Sequence, residues 1–299
     1  MSAIQRIKDA WRKNSPELLG LVNGGLPTFV SRARVDRSSP AVPVFSYHVV
    51  SAELLRADFE FLRRNGYRAL TLDEVAARAT GEAPIGEREV ALTFDDGPRN
   101  FFDVAFPLVL EHGVHVTAFI APGLHADQFE DFQESAYRPM TWGEIVQLHA
   151  SGLVSIQSHT LQSQYVPRWP AAAELAGVDP RIEARLRQPP LGLAADFRAA
   201  KQLIEARCPG TSVRHLCFPM YQGNAAAIEA AAASGYTACY WGLLPGSPDV
   251  TRGTAPMHIP RLAGEFLRRL PGEGRLSLRQ LLRNRLDAIA ASRARGRQA

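Results

Sequence analysis

The stretch Val90-Ala-Leu-Thr-Phe-Asp-Asp-Gly-Pro98 joins a strongly apolar segment to two adjacent carboxylates, and it decides the fold. Its first five residues are apolar or β-branched, which predicts a strand buried on both faces. Asp95 and Asp96 follow at the carboxyl end of that strand. Neighbouring carboxylates repel each other, so a buried pair needs a cation or hydrogen-bond donors. A divalent metal would meet this need, although an Asp-Asp-Gly-Pro turn is also common after a strand.

Strands and helices alternate on both sides of this stretch. Apolar, β-branched runs predict strands at 42–50, 90–94, 114–120, 153–157, 213–218 and 236–241. Helical periodicity predicts helices at 53–66, 101–112, 141–151, 196–207 and 224–234. Such alternation is typical of a parallel sheet covered by helices. No Gly-rich nucleotide turn follows a strand, so a complete or partial (β/α) barrel is favoured over an open sheet.

Composition and charge exclude several classes of protein. Of the 299 residues, 46% are hydrophobic and 21% are charged, as in soluble globular domains. The net charge of +4 divides into +4 for residues 1–40, −8 for 41–251 and +8 for 252–299. Two basic ends around an acidic body, without a zinc-finger or RNA-binding motif, argue against nucleic acid as a partner.

The ends of the chain and its cysteines suggest a cellular location. Three cysteines without CxxC spacing indicate a reducing compartment, and the charged first ten residues lack the apolar core of a signal peptide. We therefore expect a cytoplasmic protein. Apolar residues at helical spacing in 4–22 and 276–296, flanked by basic residues, predict amphipathic helices. These helices either pack on the main domain or make peripheral contact with the inner face of a membrane.

Polar residues also follow the other predicted strands, and in barrel folds ligands bind at these strand ends. Tyr47-His48 follows the first strand, and Ser158-His159-Thr160 follows the fourth. Together with 92–120, the segments Met140-Thr-Trp-Gly-Glu-Ile145 and Ala150-Ser-Gly-Leu-Val-Ser-Ile-Gln-Ser-His-Thr160 strongly resemble the polysaccharide deacetylases, the NodB-homology fold of carbohydrate esterase family four. The resemblance covers about residues 41–262.

The resemblance implies a fold, a domain order and an activity. The expected fold is an α/β, distorted (β/α) barrel of the glycoside hydrolase/deacetylase-like type over 41–265, after a basic helical extension at 1–40 and before a basic amphipathic helix at 266–299. The implied reaction removes an N-acetyl group from an amino sugar of a polysaccharide or a surface-glycan precursor. The expected cytoplasmic location would make a nucleotide-linked or lipid-linked amino sugar at the inner leaflet the reachable substrate. The implied cofactor is a divalent metal ion, zinc first, with nickel, cobalt and manganese as alternatives.

The site residues are carried over position by position, and one position departs from the family. Asp95 matches the catalytic base, Asp96 the first metal ligand and His159 the second. Ser163 stands where the family has a further metal ligand, and a neutral hydroxyl is a poor one. His48 is the first candidate for the missing ligand and Gln162 the second, while a hydrogen-bonded core histidine is the plain alternative for His48.

The later motifs of the family are eroded in this sequence. The segment Cys217-Phe-Pro-Met-Tyr-Gln-Gly-Asn224 keeps the proline of the third motif, and it predicts Pro219 and Tyr221 at the sugar with the Met220 N–H at the oxyanion. A strand-to-helix turn capped by Asn224 explains the same residues. Trp241 either stacks on a sugar or belongs to the core. His258 is the nearest candidate for the general acid, and Arg261 in the same string is interpreted as structural.

Three hypotheses therefore remain for the function. The first is a metal-dependent N-deacetylase of an amino sugar, which the set Asp95, Asp96 and His159 favours. The second is a catalytically impaired deacetylase fold that binds carbohydrate, which Ser163 and the eroded motifs favour. The third is a hydrolase of another linear amide on the same scaffold.

Overall fold

The computed structural model describes residues 20, 25–31, 40–128, 138–164, 166, 192–244, 246–281 and 283–284. Its strands are β1 Val44–Tyr47, β2 Arg68–Ala69, β3 Glu89–Asp96, β4 Val116–Ile120, β5 Val154–Ser158, β6 His215–Cys217, β7 Ala238–Tyr240 and β8 Leu262–Ala263. Its α-helices are α1 Thr28–Ser31, α2 Ala52–Arg64, α3 Leu72–Thr80, α4 Phe106–His112, α5 Trp142–Ala150, α6 Leu193–Arg207 and α7 Ala225–Ala233. A π-helical turn, Phe101–Ala105, leads into α4.

The strands form one parallel sheet that curls towards a barrel. Its order is β7-β6-β5-β4-β3-β1-β8, and β2 pairs with β3 beside this path. The segment 259–263 joins the two edges, because Ile259 bridges to Tyr240 of β7 while Leu262 pairs with Phe45 of β1. This arrangement confirms the distorted (β/α) barrel, and it places the carboxyl ends of all the main strands on one face.

Alternate residues of the strands point to opposite sides of the curled sheet. One cluster, between the sheet and the helices, contains Leu92, Phe94, Ala118 and Ile120 with the helix faces. The other contains the intervening positions of the strands, including Ala91, Phe119, Cys217 and Tyr240, and it is the filling of the barrel. Asp95 lies on the same side of β3 as Ala91, so its side chain points into this interior.

Helix α3 closes the amino-terminal end of the barrel. Its residues Leu72, Val75 and Ala79 are buried in the interior cluster. A capping box fixes its start, because Thr71 accepts from the Glu74 N–H while the Glu74 carboxylate accepts from the Thr71 N–H. The sequence interpretation missed this helix and the two-residue strands β2 and β8.

The ends of the chain were predicted to be basic amphipathic helices. Most of 4–22 and of 276–296 lies outside the described residues, so these helices stay predictions. Within the described part, residues 278–281 are helical. Among the described residues, no helix is both long enough and apolar enough to span a membrane.

Candidate active site

Asp95 forms a buried ion pair with Arg261 at the carboxyl end of the barrel. Nη1 and Nη2 of Arg261 donate to Oδ1 and Oδ2 of Asp95 at 2.7 and 2.8 Å. The side chains of Arg261 and Asp95 are 0% and 1% exposed, so both charges are withdrawn from water. Burial raises the pKa of Asp95, but the charge and hydrogen bonds of Arg261 outweigh it, and the pKa lies below its ordinary value. Asp95 is therefore ionised at neutral pH.

Several further contacts fix the orientation of the Arg261 guanidinium. Its Nε donates to the Trp241 carbonyl at 3.1 Å, and its Nη1 also donates to Thr93 Oγ1 at 3.0 Å. The guanidinium lies over the rings of Phe119 and Tyr221, at 5.5 and 5.3 Å from their centroids. Because these contacts fix the planar Arg261 guanidinium, it in turn fixes the Asp95 carboxylate in one position.

Asp96 points away from this pair and faces His159. Its φ of +69° is in the left-handed region, which turns the chain at the end of β3. The sheet register places Asp96 opposite Ile120 and Ile120 opposite Ser158, so His159 comes to the same level. His159 Nε2 lies 3.3 Å from Asp96 Oδ1. Its Nδ1 lies 2.9 Å from the Cys217 carbonyl, which assigns the proton to Nδ1 and turns Nε2 towards Asp96.

Ser163 reaches the same carboxylate oxygen. Its Oγ donates to Asp96 Oδ1 at 3.0 Å, in a loop where Thr160 and Ser163 both have positive φ. Burial raises the pKa of Asp96. The hydrogen bond from His159 and the charges of His159 and His48 outweigh this effect, so the pKa of Asp96 lies well below its ordinary value. A carboxylate oxygen, an imidazole nitrogen and a hydroxyl thus converge. This donor set fits a divalent metal with two good ligands and one weak one.

A second group of metal-ligand atoms lies deeper in the barrel. Single ligand atoms of Asp95, His159 and Cys217 all lie within 4.8 Å of one another. Arg261 already occupies both oxygens of Asp95, and its Nη2 lies 2.7 Å from Cys217 Sγ. A metal at this place would meet a buried guanidinium, so the Asp96–His159 pair is the better metal site.

His48 and Tyr221 lie beside the two carboxylates. The ring centroids of His48 and Tyr221 are 5.8 Å apart in an edge-to-face arrangement, and His48 is half-buried. Tyr221 Oη lies 3.3 Å from Ser46 Oγ of β1. The charge of His48 lowers the pKa of both Asp95 and Asp96, so the imidazole lies close to both. The sequence-predicted residues Asp95, Asp96, His159, His48 and Tyr221 therefore form one cluster.

The remaining predicted residues lie further out or in the core. Trp241 is only 9% exposed, because the exposed His258 stacks on it at 5.4 Å and Phe218 packs against it at 4.7 Å. Its indole N–H donates to the Met257 carbonyl at 2.7 Å. This burial favours the core alternative for Trp241, and its contact with a sugar stays a prediction. Pro219 is buried as well. His258 makes no described contact with Asp95, Asp96 or His159, and its role as general acid stays a prediction.

The comparison with protein families identifies the family of the chain. The polysaccharide deacetylase family model matches residues 82–239, more than half of the chain. This match includes the strand with both aspartates, the His159 loop and the turn after β6. The chain belongs to the polysaccharide deacetylase family.

Two curated relatives match this chain over part of their length. The poly-beta-1,6-N-acetyl-D-glucosamine N-deacetylase of Escherichia coli (strain K12) is 33% identical over 124 residues, which are 39% of this chain and 18% of that protein. YxkH of Bacillus subtilis (strain 168) is 27% identical over 138 residues, 43% of this chain and 46% of YxkH. The chain thus spans less than half the length of these relatives.

Solved structures share the fold. IcaB from Ammonifex degensii superposes with a TM-score of 0.62 at 19% identity, covering 77% of this chain and 95% of IcaB. A de-N-acetylase from Aggregatibacter actinomycetemcomitans gives a TM-score of 0.55 at 22% identity, covering 74% and 94%. At these identities the likeness concerns the fold alone, and it agrees with the curled parallel sheet described above.

Proposed function

We propose that the protein is a metal-dependent N-deacetylase that removes acetate from an N-acetylated amino sugar. The observation that carries this proposal is the approach of His159 Nε2 to Asp96 Oδ1 at 3.3 Å beside the ionised Asp95. Membership of the family and the name of the Escherichia coli relative support the substrate class.

Each residue of the cluster has a proposed part in the reaction. Asp96 and His159 would hold the divalent metal, which when bound polarises a carbonyl and acidifies water. Asp95 accepts a proton from the attacking water, in the orientation that Arg261 imposes. The Met220 N–H, in a turn where Met220 and Tyr221 have positive φ, donates to the oxyanion. His48 either completes the metal site or protonates the leaving amine.

Metal content and acetate release test the proposal together. Asp96→Ala should lose bound zinc and activity, because it removes the charged ligand. Asp95→Asn should keep zinc and lose acetate release from β-1,6-linked N-acetylglucosamine oligomers, because an amide does not accept the proton. Wild-type turnover in both variants would contradict the deacetylase proposal.

The third metal ligand needs its own pair of variants. His48→Ala should lower zinc affinity about 10- to 100-fold if the imidazole is a ligand, on the scale of ligand-supporting residues. It should leave zinc affinity unchanged and abolish turnover if His48 is the acid. Ser163→His should tighten zinc binding, because it replaces a neutral hydroxyl with an imidazole.

A carbohydrate-binding protein without activity is the second candidate. The hydroxyl of Ser163 at 3.0 Å from Asp96 favours it, because this hydroxyl stands in the place of a strong ligand. Zinc binding by Ser163→His alone, with none by the wild-type protein and with binding of N-acetylglucosamine oligomers by both, would support this candidate.

The carrier of the sugar and the location of the protein belong to the same proposal. A cytoplasmic enzyme would act on an amino sugar linked to a nucleotide, or to a lipid at the inner leaflet, whereas the Escherichia coli relative is named for a polymer. Acetate release from nucleotide-linked, lipid-linked and polymeric N-acetylglucosamine, compared at equal concentration, would select among them. Cell fractionation would test the cytoplasmic location and the peripheral membrane contact.

A further inference from the structure

The loop that carries His159 and Ser163 has an unfavourable backbone. Thr160 has a φ of +63° and Ser163 a φ of +53°, and neither residue is a glycine. Non-glycine residues remain in the left-handed region when surrounding contacts over-determine the conformation. The contacts that hold this loop therefore decide where His159 and Ser163 stand relative to Asp96.

Leu161, between these two residues, is held by hydrogen bonds at both its backbone N–H and its carbonyl. Its N–H donates to Asp196 Oδ1 of α6 at 3.0 Å. Its carbonyl accepts from the Gly123 N–H, in the turn after β4, at 2.7 Å. A Cβ on Gly123 would lie 2.7 Å from the Leu161 oxygen, so the close approach depends on glycine.

Asp196 is an unusual residue for the place that it occupies. The side chain is fully buried, and its Oδ2 has no hydrogen-bond partner in the described part of the protein. Burial raises the pKa of its carboxyl to about 6. An apolar side chain would fill this space without the cost of an unpaired oxygen. Packing therefore does not explain the carboxylate, whereas its bond to Leu161 does.

We propose that Asp196 is a positioning residue that holds the Leu161 amide and thereby sets His159 and Ser163 around Asp96. It stands outside the cluster of proposed catalytic and metal-binding residues, and it acts through the loop. The inference rests on the proposed metal site for its consequence, but its structural part concerns the loop alone. Losing the acceptor leaves the Leu161 N–H unpaired and frees the loop to leave its strained conformation.

Two substitutions separate the acceptor from the charge. Asp196→Asn keeps an Oδ1 acceptor at the same place and removes the charge, whereas Asp196→Leu removes the acceptor and fills the space. Asp249→Leu is a matched control, because burial also raises the pKa of Asp249 to about 6 and its Oδ1 has no described partner. Asp249 lines a cavity beside Glu89, at the opposite end of β3 from Asp96.

The first measurement is zinc binding to metal-free protein by titration. We expect Asp196→Leu to weaken the zinc Kd about 10-fold or more, on the scale of lost support for a metal ligand. Asp196→Asn and Asp249→Leu should stay within about threefold of wild type, a difference of less than 1 kcal/mol. Equal Kd values for wild type and Asp196→Leu, or equal weakening in all three variants, would overturn the inference.

The second measurement does not depend on metal. Hydrogen exchange of the peptide that covers residues 159–164, in EDTA, should speed up in Asp196→Leu and remain slow in Asp196→Asn. Unchanged exchange in Asp196→Leu would overturn the positioning role even if the protein proves to be a deacetylase. If the wild-type protein binds no zinc, the proposed function fails, and the exchange experiment still decides whether Asp196 holds the loop.

Discussion

Replacing Arg261 with methionine should remove about 3–5 kcal/mol from the free energy of unfolding, the scale measured when one partner of a buried ion pair is lost. The geometry of the Asp95–Arg261 pair favours a loss near the upper end of this range. Both side chains are almost fully buried, and both Asp95 oxygens accept from the guanidinium at 2.7 and 2.8 Å. Since domains are stable by about 5–15 kcal/mol, the variant should lose a large part of its stability.

A double-mutant cycle separates the pair from its surroundings. Arg261→Met and Asp95→Asn each leave a buried group without its partner, whereas the double variant leaves neither charge. The loss in the double variant should therefore be smaller than the sum of the single losses by about 2 kcal/mol or more. Urea unfolding at pH 7 in EDTA measures all four proteins, because bound metal would otherwise add to the stability. Additive losses within about 0.5 kcal/mol would refute the reasoning.

The pH dependence supplies a second check on the same variant. Without Arg261, burial is opposed only by the smaller effects of the His159 and His48 charges, and the pKa of the Asp95 carboxyl should rise above that in the unfolded chain. The folded protein then binds the proton more tightly, so the deficit of Arg261→Met should shrink as the pH falls from about 7 to 5. Arg269→Met is the control, because this buried arginine donates to the carbonyls of Val30 and Leu276. Its deficit should not change in this way.

Further predictions concern the wall of the barrel. Burial raises the pKa of Asp58 to about 7, so its carboxyl lowers stability by about 1.4 kcal/mol per unit as the pH rises from about 5 to 7. Asp58→Asn, which keeps an acceptor for Tyr47 Oη, should flatten this part of the profile in urea unfolding. Gly264→Ala should lower the free energy of unfolding by about 1–3 kcal/mol, because its Cβ would overlap the Tyr47 ring. Gly143→Ala, in exposed helical backbone, should raise stability by about 0.5–1 kcal/mol, and equal effects at both glycines would contradict the packing argument.

The parts of the fold that the sequence predicts are those with a local signal. Strands β3 and β4 are buried on both faces, so they are continuous apolar runs that need no knowledge of their neighbours. β2 and β8 are two residues long, and their pairing depends on distant partners. Helix α3 was missed although its signal is local, since Thr71 and Glu74 are at the spacing of a capping box.

The same division applies to the site. Asp96 ends β3 and His159 follows β5, and both strands pair with β4 between them, so their approach follows from the parallel order of the sheet. Arg261 lies 166 positions from Asp95 along the chain, and no pattern in the sequence connects them. The sequence therefore indicates a structural role for Arg261 but does not reveal that its partner is Asp95. The hydrogen bond from the Leu161 N–H to Asp196 cannot be predicted from the sequence either, because an aspartate in the first turn of a helix is ordinary at the surface.

The structure also changes the electrostatic argument that began with the two aspartates. Like charges at a strand end repel each other, so either a cation or hydrogen-bond donors were expected to neutralise the adjacent carboxylates. In the fold, the pleat of β3 directs Asp95 into the barrel, where Arg261 neutralises it, while the left-handed turn at Asp96 directs that carboxylate to His159 and Ser163. Each charge has its own partner, so only Asp96 remains for a cation. A metal at this site would therefore be held by Asp96, His159 and a third donor, which is either the weak hydroxyl of Ser163 or the imidazole of His48. The strength of that third donor decides between an active deacetylase and a fold that has lost its metal.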